Sequence, residues 1–108
     1  MTTPEFHAYI SDCLSFLGDI RTIRMMGEYV LYYRDKVVGD LCDNRLLIKQ
    51  TPTSQRLLAD CSLEYPYPGS KQLMFVIADP ENRPLMRELF DGLYAELPER
   101  KPKKKSST

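Results

Sequence analysis

Apolar positions near the start of the chain follow the spacing of one helical face. They run from Phe6 to Leu17 at intervals of three and one residues, which is the pattern of an amphipathic helix. Thr3 can cap this helix, and Pro4 suits its first position because the proline lacks an amide proton that the helix would leave unpaired. Gly18 tolerates the left-handed backbone that ends many helices. The pattern therefore predicts a first helix that ends near Gly18.

Between residues 20 and 50 the pattern changes to short alternating segments that are separated by polar turns. Residues 21–25 alternate, with Ile23 and Met25 on one face and Arg24 on the other. Gly27 interrupts the pattern, and further turns are predicted at 34–36 and 43–44. Because these turns are tight, the four strands they separate are predicted to form an antiparallel meander.

The second half of the chain alternates between helical and extended segments. The predicted elements are a short helix at 53–60, an exposed loop at 62–70, a buried strand at 73–78 and a last helix at 82–97. Strands that come in a run favour an α+β fold over an alternating α/β fold. We therefore expect an antiparallel meander sheet of about five strands, flanked by N- and C-terminal helices. This domain is assigned to residues 1–98, and residues 99–108 are predicted to be a disordered basic tail.

Charge is distributed unevenly along the 108 residues. Residues 99–108 contain five basic groups and one acidic group, whereas residues 1–98 contain 10 basic and 14 acidic groups. An acidic body is poorly suited to broad contact with nucleic acid. The tail is interpreted as a solvated end, and weak nucleic-acid binding through Lys103, Lys104 and Lys105 is the alternative. No apolar run is long enough to cross a bilayer and no signal peptide is visible, so a cytoplasmic location is expected.

Residues with catalytic or metal-binding potential are sparse and scattered. No phosphate-binding glycine loop or nucleophile elbow is present, and His7 is expected to be a surface residue. Three separate cysteines, Cys13, Cys42 and Cys61, are expected to be inert apolar residues. The sequence predicts no metal site, no cofactor and no enzymatic activity.

The first predicted hairpin carries a group of arginines and tyrosines that is the candidate contact surface. Its members are Arg21, Arg24, Gly27, Tyr29, Tyr32, Tyr33 and Arg34. Arginines can hold an acidic partner, and exposed tyrosines are favoured at protein interfaces. A solvated sheet face explains the arginines equally well, and at least some of the tyrosines are expected in the core.

Three segments in the same region resemble the N-terminal domain of the TfoX (Sxy) competence-regulator family. They are residues 24–32, 38–41 and 44–49, and the similarity extends over about residues 5–97. The residues that carry it are Arg24, Met25, Gly27 and Tyr29 in the first segment, Gly39, Asp40 and Leu41 in the second, and Leu46, Leu47, Ile48 and Lys49 in the third. Met26 and Glu28 stand where the family has phenylalanine and a second glycine.

The resemblance implies a secretion-chaperone-like fold and a role in the control of competence genes. Members of the family are thought to act with the cyclic-AMP receptor protein at promoters, so a transcription factor of that kind is an expected partner. A regulatory, protein-binding domain is thus the first functional hypothesis, and a homodimer is one form that this hypothesis includes. The alternatives are the weak nucleic-acid binder and a small-molecule-binding domain, which would need a deep pocket with convergent polar groups.

Overall fold

A six-stranded antiparallel sheet with helices at both ends of the chain forms the domain. The computed structural model describes residues 1–98, so the predicted basic tail at 99–108 lies outside the described residues. The elements are α1 (Pro4–Leu14), β1 (Ile20–Met25), β2 (Glu28–Tyr33), β3 (Lys36–Cys42), β4 (Arg45–Ile48), α2 (Pro52–Leu57), β5 (Leu63–Glu64), β6 (Met74–Val76) and α3 (Arg83–Glu96). The strand order is β1-β2-β3-β4-β6-β5. This architecture confirms the predicted α+β class.

The sheet has one strand more than the sequence pattern indicated. The additional strand is β5, which lies inside the segment predicted to be an exposed loop. Leu63 and Glu64 are both exposed and pair with Phe75 and Met74 of β6. A two-residue edge strand has too few positions to show an alternating pattern, so its sequence resembles a loop.

Both long helices begin after a side-chain cap, and the Thr3 cap of α1 is the one that the sequence predicted. The Thr3 side chain accepts a hydrogen bond from the Phe6 amide, and Pro4 is the first residue of α1. After Leu14 the chain continues as a 3-10 turn, Ser15–Leu17, and Gly18 then adopts a φ of 69°. The Asn82 side chain caps α3 in the same way by accepting from the Leu85 amide.

Three two-residue hairpins connect the first four strands. Their turn residues are Met26 and Gly27, Arg34 and Asp35, and Asp43 and Asn44. All six have positive φ values, between 50° and 85°. Two central residues with positive φ characterise the type I′ turn, whose twist matches that of the flanking strands. The three hairpins therefore fix the register of the meander.

This register places alternate side chains of each strand on opposite faces of the sheet. Opposed pairs such as Thr22 and Leu31 share one face, whereas Ile23 and Val30 share the other. All three helices contribute residues to a core on the first face. Its buried members are Ile10, Leu14, Leu17, Leu31, Tyr33, Val38, Leu41, Leu46, Ile48, Leu58, Phe75, Ile77, Met86, Leu89, Phe90 and Leu93. We call the other side of the sheet the second face.

The second face is covered only in part. A small buried cluster of Cys42, Leu47 and Met74 lies there, with Val76 packed against it. Arg45, directly opposite Cys42, donates to the carbonyl oxygens of residues 65 and 66 at 3.2 and 3.0 Å and so holds the segment after β5 against this side. The helices of residues 1–98 pack on the first face, so none of them covers the β1–β2 end of the second face.

Gly39 faces the backbone of β4 at a close approach. The β2–β3 register shifts beside it, because Leu31 faces Gly39 while Tyr32 faces Val37. A Cβ atom at Gly39 would lie 2.0 Å from the Leu47 carbonyl oxygen. The backbone of β4 leaves no space for a side chain at this position.

Gly39→Ala is therefore expected to destabilise the domain by about 3 kcal/mol, because backbone atoms in the centre of the sheet would have to move. Urea unfolding of the full chain measures this change. Gly18→Ala is the control, since its Cβ meets no atom within 4 Å and only the backbone conformation, φ 69° and ψ 164°, is unfavourable for a side chain, which costs about 1–2 kcal/mol. Equal destabilisation of the two variants would contradict the close approach of β3 and β4.

Candidate protein-contact site

Large apolar side chains are exposed where β1 turns into β2. The exposed fractions are 36% for Ile23, 55% for Met25 and 97% for Met26. Ile23 and Met25 are on the second face because their partners across the hairpin are Val30 and Glu28. We call Ile23, Met25 and Met26 the tip surface.

Met26 has an unfavourable backbone conformation within this surface. It is the first central residue of the β1–β2 turn, with φ at 55°, a conformation that side chains other than those of glycine, asparagine and aspartate seldom adopt. The other five residues of the three turns are Gly27, Arg34, Asp35, Asp43 and Asn44, none of which has an apolar side chain that water must hydrate. Met26 thus combines a strained backbone with an almost fully hydrated apolar side chain.

A groove of about 450 Å³ opens beside the tip surface. Its lining residues are Met25, Met26, Glu28, Tyr29, Val30, Asp40, Cys42 and Tyr67. Tyr67 belongs to the segment after β5, so the groove lies between that segment and the β1–β2 turn. Its walls are mostly apolar, and Glu28 and Asp40 are the two carboxylates that line it.

Glu28 is bound by groups of its own chain. Its Oε1 atom accepts from the Thr2 hydroxyl at 2.7 Å and from the Asp43 amide at 3.1 Å, and its Oε2 atom lies 3.4 Å from the amino group of Met1. Burial alone would raise the pKa of Glu28, but these hydrogen bonds and the nearby positive charge outweigh it and lower the pKa. Glu28 therefore stays ionised and connects the N-terminal residues to the hairpin.

Asp40 has no comparable partner. It lies on the second face between Val30 and Leu47, and its carboxylate accepts no hydrogen bond from residues 1–98. Burial raises the pKa of Asp40, and the charge of Lys49 opposes this shift only in part. Lys49 lies outside the lining of the groove. Lys49 instead lines an adjoining pocket together with Asp40. The domain thus holds a half-buried carboxylate that accepts no hydrogen bond from residues 1–98 and whose nearby cation lies outside the groove.

The seven residues predicted as the contact surface do not form one surface. Gly27 is in the turn beside the tip surface, whereas Arg34 is in the next turn, at the opposite end of β2. Arg34 makes an ion pair of 3.8 Å with Asp19. Since the turns at the two ends of a strand point in opposite directions, Gly27 and Arg34 cannot contact the same small epitope.

Tyr33 is fully buried, so its inclusion in the contact surface is wrong. It is on the helix-covered face, where its ring packs edge-on against Phe90 and its hydroxyl donates to Asp91 at 2.9 Å. Tyr29, four residues earlier, shares this face. Its ring stacks on His7, with the ring centroids 4.0 Å apart.

The prediction that His7 is a surface residue is also wrong. The side chain is half-buried between α1 and the sheet, and its Nε2 atom lies 2.8 Å from the Thr22 hydroxyl. His7 lies off the main apolar stripe, and sequence periodicity does not reveal a flat ring that packs against a tyrosine.

The remaining predicted contact residues are exposed or half-exposed along the first hairpin. Arg21 pairs with Asp35 at 3.2 Å and places its guanidinium 4.7 Å from the centre of the Tyr32 ring. Arg21 and Tyr32 are on the second face, and both are farther from the β1–β2 turn than Ile23 is. Arg24 is exposed opposite Tyr29. These residues flank the tip surface, but they do not form its centre.

The cysteines have the character of apolar residues. Cys42 is buried and Cys13 and Cys61 are half-buried, all three as free thiols. Burial raises the pKa of Cys42 to about 11 and also raises that of Cys13, which disfavours the reactive thiolate form. Among residues 1–98, no group of three histidine, cysteine or acidic side chains is placed to hold a metal ion. No helix within the same residues has the length and apolar character needed to cross a membrane.

Comparison with known proteins finds a relative in Spirochaeta aurantia. The chain is 36% identical over 103 residues to a protein of Spirochaeta aurantia described as an uncharacterized 12.7 kDa protein in the trpE 5′ region. The alignment covers 95% of this chain and 90% of the relative. No protein-family model matches the chain, and no solved structure matches it significantly.

Ionised Asp40 is expected to lower the stability of the folded domain. Because burial raises its pKa in the folded state, ionisation of Asp40 favours the unfolded state, and the cost grows as the pH rises from the unfolded-state pKa through the folded-state value. Asp40→Asn is therefore expected to raise the urea midpoint at pH 7. The gain should shrink as the pH falls through the raised folded-state pKa and should be largely lost by about pH 4, the ordinary pKa of aspartate.

Asp60→Asn is the matched control, since Asp60 is exposed and should change stability little. A lower urea midpoint for Asp40→Asn than for the unmodified chain at pH 7 would show that Asp40 contributes to stability and would contradict this account.

Proposed function

The chain belongs to the same family as the uncharacterized Spirochaeta aurantia protein, and from the surface that its fold exposes we propose that it is a protein-binding domain and not an enzyme. The binding site is the tip surface together with the adjoining groove. The observation that carries this proposal is Met26, an apolar side chain that is 97% exposed on a strained turn.

The exposed methionine is unfavourable for the isolated domain in two ways. A non-glycine residue in the left-handed region costs on the order of 1 kcal/mol, and an asparagine would fit this turn better. An exposed cluster with Met25 and Ile23 also favours nonspecific association. Costs of this kind are expected where a residue serves binding instead of stability.

Methionine is well suited to a protein interface. Its unbranched, polarisable side chain adapts to the shape of a partner, and methionine is enriched in the buried centres of interfaces. Burial of Met25 and Met26 by a partner would remove their apolar area from water at about 25 cal/mol per Å². A two-residue turn joined to paired strands presents these side chains from a defined backbone.

The resemblance to the TfoX N-terminal domain supplies the first partner to test. A transcription factor of the cyclic-AMP receptor type is proposed as the protein that the tip surface binds, in a role that controls competence genes. A second copy of this chain is the other partner to examine, since a homodimer is part of the same hypothesis. Sedimentation of the purified chain distinguishes the two arrangements.

Met26→Asn tests the proposal because it should make the domain more stable and at the same time weaken binding. The variant is expected to gain about 1 kcal/mol in unfolding free energy because asparagine tolerates the left-handed backbone. It is also expected to lose binding by about tenfold or more, because a central apolar contact is removed. Urea unfolding measures the first effect. Titration calorimetry, with a partner captured from the host and then purified, measures the second.

Arg34→Asn is the matched control because Arg34 occupies the same position in the next two-residue turn, at the far end of β2. This variant should retain binding, and it should gain stability from the same release of backbone strain as Met26→Asn. Loss of binding by Arg34→Asn and retention by Met26→Asn would place the contact at the opposite end of the sheet and refute the tip surface as the site.

A further inference from the structure

We propose that the groove beside the tip surface receives an arginine or lysine side chain of the partner, with the cationic head at Asp40 and the aliphatic stem along the apolar walls. This inference rests on the proposed protein-binding function and specifies the chemistry of the partner. The occupant is a basic residue within a peptide segment, flanked by apolar residues that contact Met25 and Met26.

The charges of the groove favour a cation. Two of its lining residues, Glu28 and Asp40, are acidic, and none is lysine or arginine. The Glu28 carboxylate is already held by Thr2, Asp43 and the amino group of Met1. Asp40 accepts no hydrogen bond from the described residues. Lys49, whose charge offsets the burial of Asp40 only in part, lines an adjoining pocket and not the groove, so on the groove side the carboxylate is open to an incoming donor. A buried charge is strongly stabilised when a hydrogen-bonded counter-charge is supplied.

The shape of the groove fits a long basic side chain better than a bare ion. Its volume of about 450 Å³ greatly exceeds that of a water molecule, and Met25, Val30 and Tyr67 provide apolar walls beside the carboxylate. Lysine and arginine carry apolar stems of several methylene groups that pack on such walls while the charged head binds elsewhere. The tyrosine ring adds a surface to which cations are attracted.

The location of Asp40 links this site to the tip surface. Asp40 is opposite Val30 on the neighbouring strand, and Val30 is opposite Ile23 of the tip surface. A line of directly paired residues across three strands thus runs from the apolar tip surface to the carboxylate. A single extended peptide that crosses these strands can contact both.

A display library of random short peptides, selected on the full chain, tests the inference. Selected peptides should carry an arginine or lysine flanked by apolar residues. Replacement of that residue by norleucine, which keeps the stem and removes the charge, should weaken binding by about tenfold or more. Asp40→Asn should weaken binding of the basic peptide to the same extent, whereas the norleucine peptide should bind both forms of the protein equally.

Asp60→Asn is the control protein and should bind the basic peptide as the unmodified chain does. Peptides that lack a basic residue, lose affinity with Met26→Asn and ignore Asp40→Asn would overturn the cation site while supporting the proposed function. Absence of any selected peptide sensitive to Met26→Asn would overturn both.

Discussion

The strand register of the meander is the constraint on which the rest of the structure depends. Because side chains alternate between faces, a shift of one residue in any of the first three hairpins would exchange the apolar core for the second face. Turns of two residues with positive φ leave little freedom for such a shift. The same register places Leu31 and Tyr33 under the helices and directs Ile23 and Asp40 to the opposite side.

Features that cost stability are concentrated where the second face is left uncovered. The helix-covered face is buried by residues from α1, α2 and α3, and within residues 1–98 no buried side-chain polar atom lacks a hydrogen-bond partner. On the uncovered part of the second face, by contrast, Met26 is strained and exposed, and the half-buried Asp40 accepts no hydrogen bond from the described residues. Unfavourable features that are confined to one region of an otherwise well-packed and fully hydrogen-bonded domain are typical of a binding site, where a partner supplies the missing contacts.

The sequence predicted most of the fold because periodicity and caps are local signals. The stripe from Phe6 to Leu17 and the Thr3 cap located α1, and the tight turns predicted the meander. The candidate site was predicted less well. The contact surface was predicted from the presence of arginines and tyrosines in the first hairpin. The burial of Tyr33, however, depends on α3, which is far away in the sequence. Met26 is the residue that the sequence does mark, since an apolar residue before glycine in a two-residue turn is unusual.

The most direct measurement is an NMR titration of the isotopically labelled full chain with its purified partner or a selected peptide. The account predicts that amide signals of Met25, Met26 and Asp40 shift most strongly, while those of Arg34 and Asp35 at the opposite turn remain in place. Large shifts confined to the Arg34 turn, with the Met26 and Asp40 signals unchanged, would contradict the tip surface as the binding site.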